Sequence, residues 1–138
     1  MSNTIDFGTY DLSAEAARGI EVTLIDETNR RPYKGLDEKE IVITIQGRDS
    51  DKWQDTAKKI DERNASKYKR RGVPAEVTES DLREILAAVT LKWTDNVPFK
   101  GEPLECTNEN CLMLYGMKNT IAEQLITAGV NRDSLKKS

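Results

Sequence analysis

The run Leu82-Arg83-Glu84-Ile85-Leu86-Ala87-Ala88-Val89-Thr90-Leu91-Lys92-Trp93 decides the fold. Leu82, Ile85, Leu86, Val89 and Trp93 fall at offsets 0, 3, 4, 7 and 11, the recurrence of one face of an α-helix. A large apolar stripe of this kind is a core face rather than a ligand groove. Thr78-Glu79-Ser80-Asp81 stands directly before it and supplies caps and first-turn carboxylates, while Gly72 and Pro74 break the chain ahead. The spacing predicts a helix from about Thr78 through Trp93.

Working toward the N-terminus, Asp49 and Ser50 are capping residues. They precede Trp53, Ala57, Ile60, Asn64 and Tyr68, which recur every three or four positions and predict an amphipathic helix of about five turns. Its outer face carries Lys58, Lys59, Arg63, Lys67, Lys69, Arg70 and Arg71, partly offset by Asp61 and Glu62. Basic residues are favoured at a helix C-terminus by the macrodipole, so a solvated face explains them; a docking stripe for an acidic partner or nucleic acid is the functional alternative. Further upstream, Ile20-Glu21-Val22-Thr23-Leu24-Ile25 and Ile41-Val42-Ile43-Thr44-Ile45 alternate apolar and polar residues and are rich in β-branched side chains. They read as a two-stranded antiparallel ribbon with a long connection through Pro32 and Gly35, ended by Gly47. Such a ribbon is marginal alone, so it packs on helices or on another copy, and an exposed edge is a natural oligomerisation surface.

Working toward the C-terminus, Pro98 and Pro103 flank Lys100-Gly101 and predict a tight loop or very short hairpin. Thr107 is the N-cap of a short helix over Glu109 to Tyr115, ended by Gly116. Thr120-Ile121-Ala122-Glu123 has the capping-box pattern of a last helix, running to about Ala128. The reading is an α+β fold: a mainly helical body of about four helices with a small N-terminal antiparallel β-ribbon. Residues 19–128 form a single domain, with flexible segments at 1–18 and 129–138.

Composition removes several classes of function. No stretch approaches the roughly 20 apolar residues that span a bilayer, and the first residues lack the basic and apolar regions of a signal peptide, so the expected location is the cytoplasm. With 21 basic against 24 acidic residues, the net charge of −3 gives no global field for a polyanion. The chain has no histidine, the commonest general base and metal ligand at neutral pH. Neither Gly-rich phosphate motif is present, so no cofactor is expected. Cys106 and Cys111 are the only cysteines. They read as buried small hydrophobes; zinc would need two further ligands, and Cys111 lacks a basic neighbour to make it a nucleophile. The carboxylate pairs Asp49/Asp51 and Asp61/Glu62 lie in no apolar context that would raise one pKa for acid catalysis. An enzyme is not expected.

The order of motifs carries a family resemblance. A strand ends near Asp26; Gly47-Arg48-Asp49-Ser50 leads into the Trp53 helix; Leu86-Ala87-Ala88-Val89-Thr90-Leu91-Lys92-Trp93 follows. Next come Gly101-Glu102-Pro103-Leu104-Glu105-Cys106-Thr107-Asn108-Glu109-Asn110 and Leu114-Tyr115. Together these resemble the tail assembly chaperones of long-tailed, non-contractile bacteriophages and related prophages, from about Gly19 to about Leu125. Each motif is a scaffold motif of caps and close packing, as suits a protein that acts through its surface.

The resemblance implies a non-enzymatic protein of the host cytoplasm that coats the tape measure protein, recruits tail tube subunits, self-associates and is absent from the finished virion. It also implies a longer form made by ribosomal frameshifting, which directs attention to Lys136-Lys137, a pair that slippery codons can encode. Lys67, Lys69, Arg70 and Arg71 and the exposed strand edge are the expected partner contacts. The alternatives are a structural head–tail connector or tail terminator, and a small nucleic-acid-binding regulator using Lys58 to Arg71.

Overall fold

The β-branched alternation after Gly19 forms a strand because one side of it can be buried. In the computed structural model, which describes residues 17–131 with the Arg70 side chain excepted, β1 (Ile20–Thr23) pairs antiparallel with β4 (Val42–Ile45). Ile20 faces Ile45 and Val22 faces Ile43, and the whole side chains of Ile43 and Ile45 are removed from solvent. Leu24 bends the chain away: its N–H donates to the Ile41 carbonyl at 3.0 Å, and its own carbonyl accepts from the Tyr33 N–H at 2.9 Å. That bend opens a short hairpin absent from the sequence reading, β2 (Ile25–Asp26) with β3 (Arg31–Pro32), turned through Arg30 at φ 58°.

The expected ribbon gains a third strand, and this corrects the reading of the central stripe. The helix carrying Ile85, Leu86 and Val89 stops at Val89, and β5 (Thr90–Trp93) pairs antiparallel with β4 in the order β1-β4-β5. Two interactions end the helix there. The Thr90 hydroxyl donates to the Leu86 carbonyl at 2.7 Å, and the Gln46 N–H takes the Val89 carbonyl at 2.9 Å, drawing the chain into the sheet. Trp93 therefore reaches the core from a strand, opposite Ile43, and its indole N–H donates to the Leu104 carbonyl at 2.8 Å.

The helices differ from expectation mainly at their ends. Ser50 caps α1 (Asp51–Tyr68) by accepting from the Trp53 N–H, as its position predicts. α2 (Ala75–Val89) starts after Pro74, several residues before the expected caps, because proline is compatible with a helix start and the Pro74 carbonyl accepts from the N–H groups of Val77 and Thr78. Asp81 is consequently inside α2 and buried, while Leu82 is 36% exposed instead of in the core.

Thr107 caps α3 (Asn108–Met117), which runs through Gly116 instead of ending there. Lys118, not Thr120, is the N-cap of α4 (Asn119–Val130); Thr120 lies in the first turn and makes no cap bond. α4 also passes the expected end at Ala128, because buried Gly129 lets it approach Trp53 and Ile45 closely. Between α2 and α3, β6 (Pro98–Phe99) and β7 (Glu102–Pro103) form the short hairpin, with Lys100 and Gly101 both at positive φ as a two-residue turn requires.

The result is the α+β architecture expected, with four helices beside small antiparallel sheets among the described residues. Trp53, Ile60, Leu86, Val89, Tyr115 and Leu125 from the helices form one core with Ile43, Ile45 and Trp93 from the sheet. No helix among the described residues is long and apolar enough to cross a membrane.

Candidate binding surfaces

The basic run sits where α1 ends. Lys58, Lys59, Lys67, Lys69 and Arg71 are exposed, and the Arg70 side chain lies outside the described residues. A 3-10 turn over Lys69–Arg71, with Lys69 at φ 48° and Gly72 at φ 78°, turns the chain into the α1–α2 connection. The Lys67 ammonium lies 5.5 Å from the centre of the Tyr68 ring. Arg63 leaves the expected docking stripe: it donates to Asp81 at 2.8 Å and lies 3.3 Å from Glu84, and this second carboxylate is the main reason its pKa is raised. Asn64 Nδ2 also donates to Asp81, at 2.8 Å, so the polar position on the α1 stripe fastens α1 to α2.

The strand edge is shorter than the sequence implied. In β1, Ile20 and Val22 pair with β4, and alternation turns the backbone groups of Glu21 and Thr23 outward. At the next outward position, Ile25, the Gln124 side chain of α4 donates to the carbonyl and accepts from the N–H, both at 2.8 Å. One amide thus does for Ile25 what a neighbouring strand would do. This contact joins residues 99 positions apart, and no local pattern announces it.

A second interaction missed by the sequence is centred on Asn96, which is buried. Its Nδ2 donates to Asp37 Oδ1 at 2.8 Å, to the Lys39 carbonyl at 3.0 Å and to the Glu40 carbonyl at 3.2 Å. The Asn96 carbonyl accepts from the Leu36 N–H at 2.9 Å. The Asn96 amide is the main cause that holds the Asp37 carboxyl below its ordinary pKa. These bonds fasten the long β3–β4 connection to the end of β5.

The cysteines adjoin Tyr115, whose hydroxyl lies 2.7 Å from that of Thr90. Burial pushes the Cys106 thiol up to about 12, raises Cys111, and raises the Tyr115 hydroxyl further. Each shift favours the neutral form, which is the opposite of what activates a thiol nucleophile. Among the described residues no three acidic or cysteine side chains gather as a metal site.

Two depressions flank exposed Leu82. One, of about 250 Å³, lies between α1 and α2 against Ala57, Ile60, Val73 and Ile85; the other, of about 180 Å³, lies between α2 and α4 against Ala122 and Ile126. The side of the sheet away from the helices holds a third, of about 300 Å³, lined by strand residues including Glu21, Val42, Thr44, Lys92 and Thr94. Lys136 and Lys137, the expected frameshift position, lie outside the described residues, as do 1–16 of the N-terminal segment and 132–138 of the tail. Comparison with protein-family models, with curated proteins and with solved structures finds no match.

Proposed function

We propose that this chain is a non-enzymatic binding protein of phage tail assembly, a chaperone that holds the tape measure protein soluble in the host cytoplasm and helps recruit tail tube subunits. The observation that carries this reading is how the motif residues of the resemblance are used. Ser50 and Thr107 are helix caps, Leu86 and Val89 are core, and Tyr115 is a buried tie to Thr90. With those residues committed to the scaffold, partner recognition falls to the exposed remainder, chiefly Lys67, Lys69 and Arg71 at the end of α1 and the apolar depressions beside Leu82. A basic end next to apolar grooves suits an amphipathic, acidic segment of a long partner.

The test is co-expression with the tape measure protein of the same genome, followed by pull-down and sizing. We expect a soluble complex with several copies of this chain, and charge reversal at Lys67, Lys69, Arg70 and Arg71 is expected to return most of the tape measure protein to the pellet. If the tape measure protein stays insoluble with the native chain and the chain is found in purified particles, a head–tail connector or tail terminator replaces the chaperone.

A further inference from the structure

α2 lies between α1 and α4, and the two apolar depressions open in the grooves on either side of it. Leu82 lines both and stands between them, 36% exposed on a helix whose Ile85, Leu86 and Val89 are buried. Packed helices lie ~8–10 Å apart, axis to axis, so the depressions are separated by roughly that distance. Buried Ile60 and Ile85 line the first, and buried Ala122 the second.

The charges along this surface have a direction. The turn carrying Lys69 and Arg71 leads directly into Val73, which is 39% exposed and lines the α1–α2 depression. Of the two carboxylates in that depression, Asp81 is held by Arg63 and Asn64, and Asp61 is outnumbered by the exposed cations of Lys67, Lys69 and Arg71. On the other side of Leu82, Glu79 and Glu123 line the α2–α4 depression; both are exposed, and neither has an ion-pair partner among the described residues. Arg83 lines it as well, but its side chain lies along Gly116 of α3, with Nε 3.8 Å from where a Cβ would stand there. The surface thus runs from a basic end, over two apolar depressions, to an acidic end.

Helix surfaces offer an extended chain no strand edge to pair with, so the backbone of an occupant here must satisfy its own hydrogen bonds, as an α-helix does. On a helix, residues i and i+7 share a face about 10.5 Å apart, close to the separation of the depressions, and the residue at i+3 or i+4 comes over Leu82. We propose that this surface docks an amphipathic helix of a partner protein, with large apolar side chains at i and i+7 in the two depressions and a small residue over Leu82. The helix sets carboxylates over Lys67, Lys69 and Arg71, and lysines or arginines over Glu79 and Glu123. The proposal rests on the reading of these depressions as partner contacts, and it confines the acidic character of the partner segment to one end.

Fluorescence anisotropy tests it, with the full chain titrated at low salt into a labelled alanine-based peptide of about 20 residues built to that pattern. The peptide carries leucines at i and i+7, glutamates at one end and lysines at the other, and is expected to bind with a dissociation constant on the order of 10–100 µM. Shifting one leucine by one position toward the other turns it off the shared face, and is expected to weaken binding about tenfold or more, as is Leu82→Glu in a chain verified as folded by circular dichroism. A peptide with glutamates at both ends is expected to bind the native chain about tenfold more weakly, and to recover to within about threefold on the double variant E79K/E123K. No binding at ~1 mM, equal binding after the leucine shift or to L82E, or no recovery on the double variant overturns the proposal. A designed helix that binds as stated while the tape measure protein stays insoluble with the native chain supports the docking site and removes the chaperone reading. A tape measure protein held soluble equally well by L82E does the reverse.

Discussion

Gly35 holds its place for lack of space, not for its backbone angle. A Cβ there would come 2.2 Å from the Asn96 carbonyl oxygen and 2.5 Å from the Asn96 amide carbon, both parts of a buried residue bonded on several sides. Gly35→Ala should therefore displace the fastening of the β3–β4 connection, adding lost hydrogen bonds to overpacking, and cost about 2–4 kcal/mol. Urea unfolding measures this. An unchanged midpoint would mean that the connection does not press against Asn96. Asn96 did not stand out in the sequence, since it bonds to positions more than 50 residues away, and Gly35 read only as part of the long connection that also holds Pro32.

At the scale of elements, the joint between α1 and α2 depends on a carboxylate. Asp81 is buried and accepts from both Arg63 and Asn64, whereas Arg63 is half exposed and rehydrates readily when its partner is lost. Asp81→Ala is expected to lose about 2 kcal/mol by stranding the Asn64 amide and opening a gap, and Arg63→Ala less than about 1 kcal/mol. Equilibrium denaturation of the two variants side by side checks the order, and the reverse order would move the weight of the joint to the surface pair.

The sequence had suggested a capping role for Asp81, because Thr78-Glu79-Ser80-Asp81 has a cap's composition while Pro74 was read only as a breaker. The Ser50 and Thr107 caps were legible because a cap is satisfied within three residues. The end of α2 was not. An apolar residue at offset 11 suits a continuing helix, and Trp93 reaches the same core from a strand. The α+β class was legible from helical spacing and strand alternation together and the pairing of β1 with β4 from alternation, while the third strand, the β2–β3 hairpin and the Leu82 depressions depend on how distant elements meet. For the candidate surfaces, residue charge was readable but availability was not: Arg63 is taken by Asp81, whereas Lys67 and Arg71 remain exposed.

The molecule as a whole should be more sensitive to alkali than its surface charge suggests. Cys106, Cys111 and Tyr115 belong to one buried region, and each has its pKa raised in the folded state, chiefly by burial. An acid whose folded pKa lies above its unfolded value contributes stability that is complete below the unfolded pKa and is lost as pH rises through the folded one. For Cys106 that window runs from its ordinary 9.0 up to about 12. Thermal unfolding should accordingly be level from neutrality to about pH 8.5, the free thiol's own range, and fall above it. Cys106→Ala should flatten part of the fall, and an unfolding curve equally steep in that variant would remove the thiol as the cause.

One consequence of the Gln124 contact reaches beyond a single molecule. A β-sheet propagates by offering the next chain a donor and an acceptor in register, and at Ile25 both are already occupied by a side chain that has no backbone ladder to continue. At that one position the ladder thus ends on a side chain. A strand arriving along the β1 side can pair at Glu21 and Thr23 but finds the ladder interrupted at the next outward position, which limits how far an intermolecular sheet can extend there.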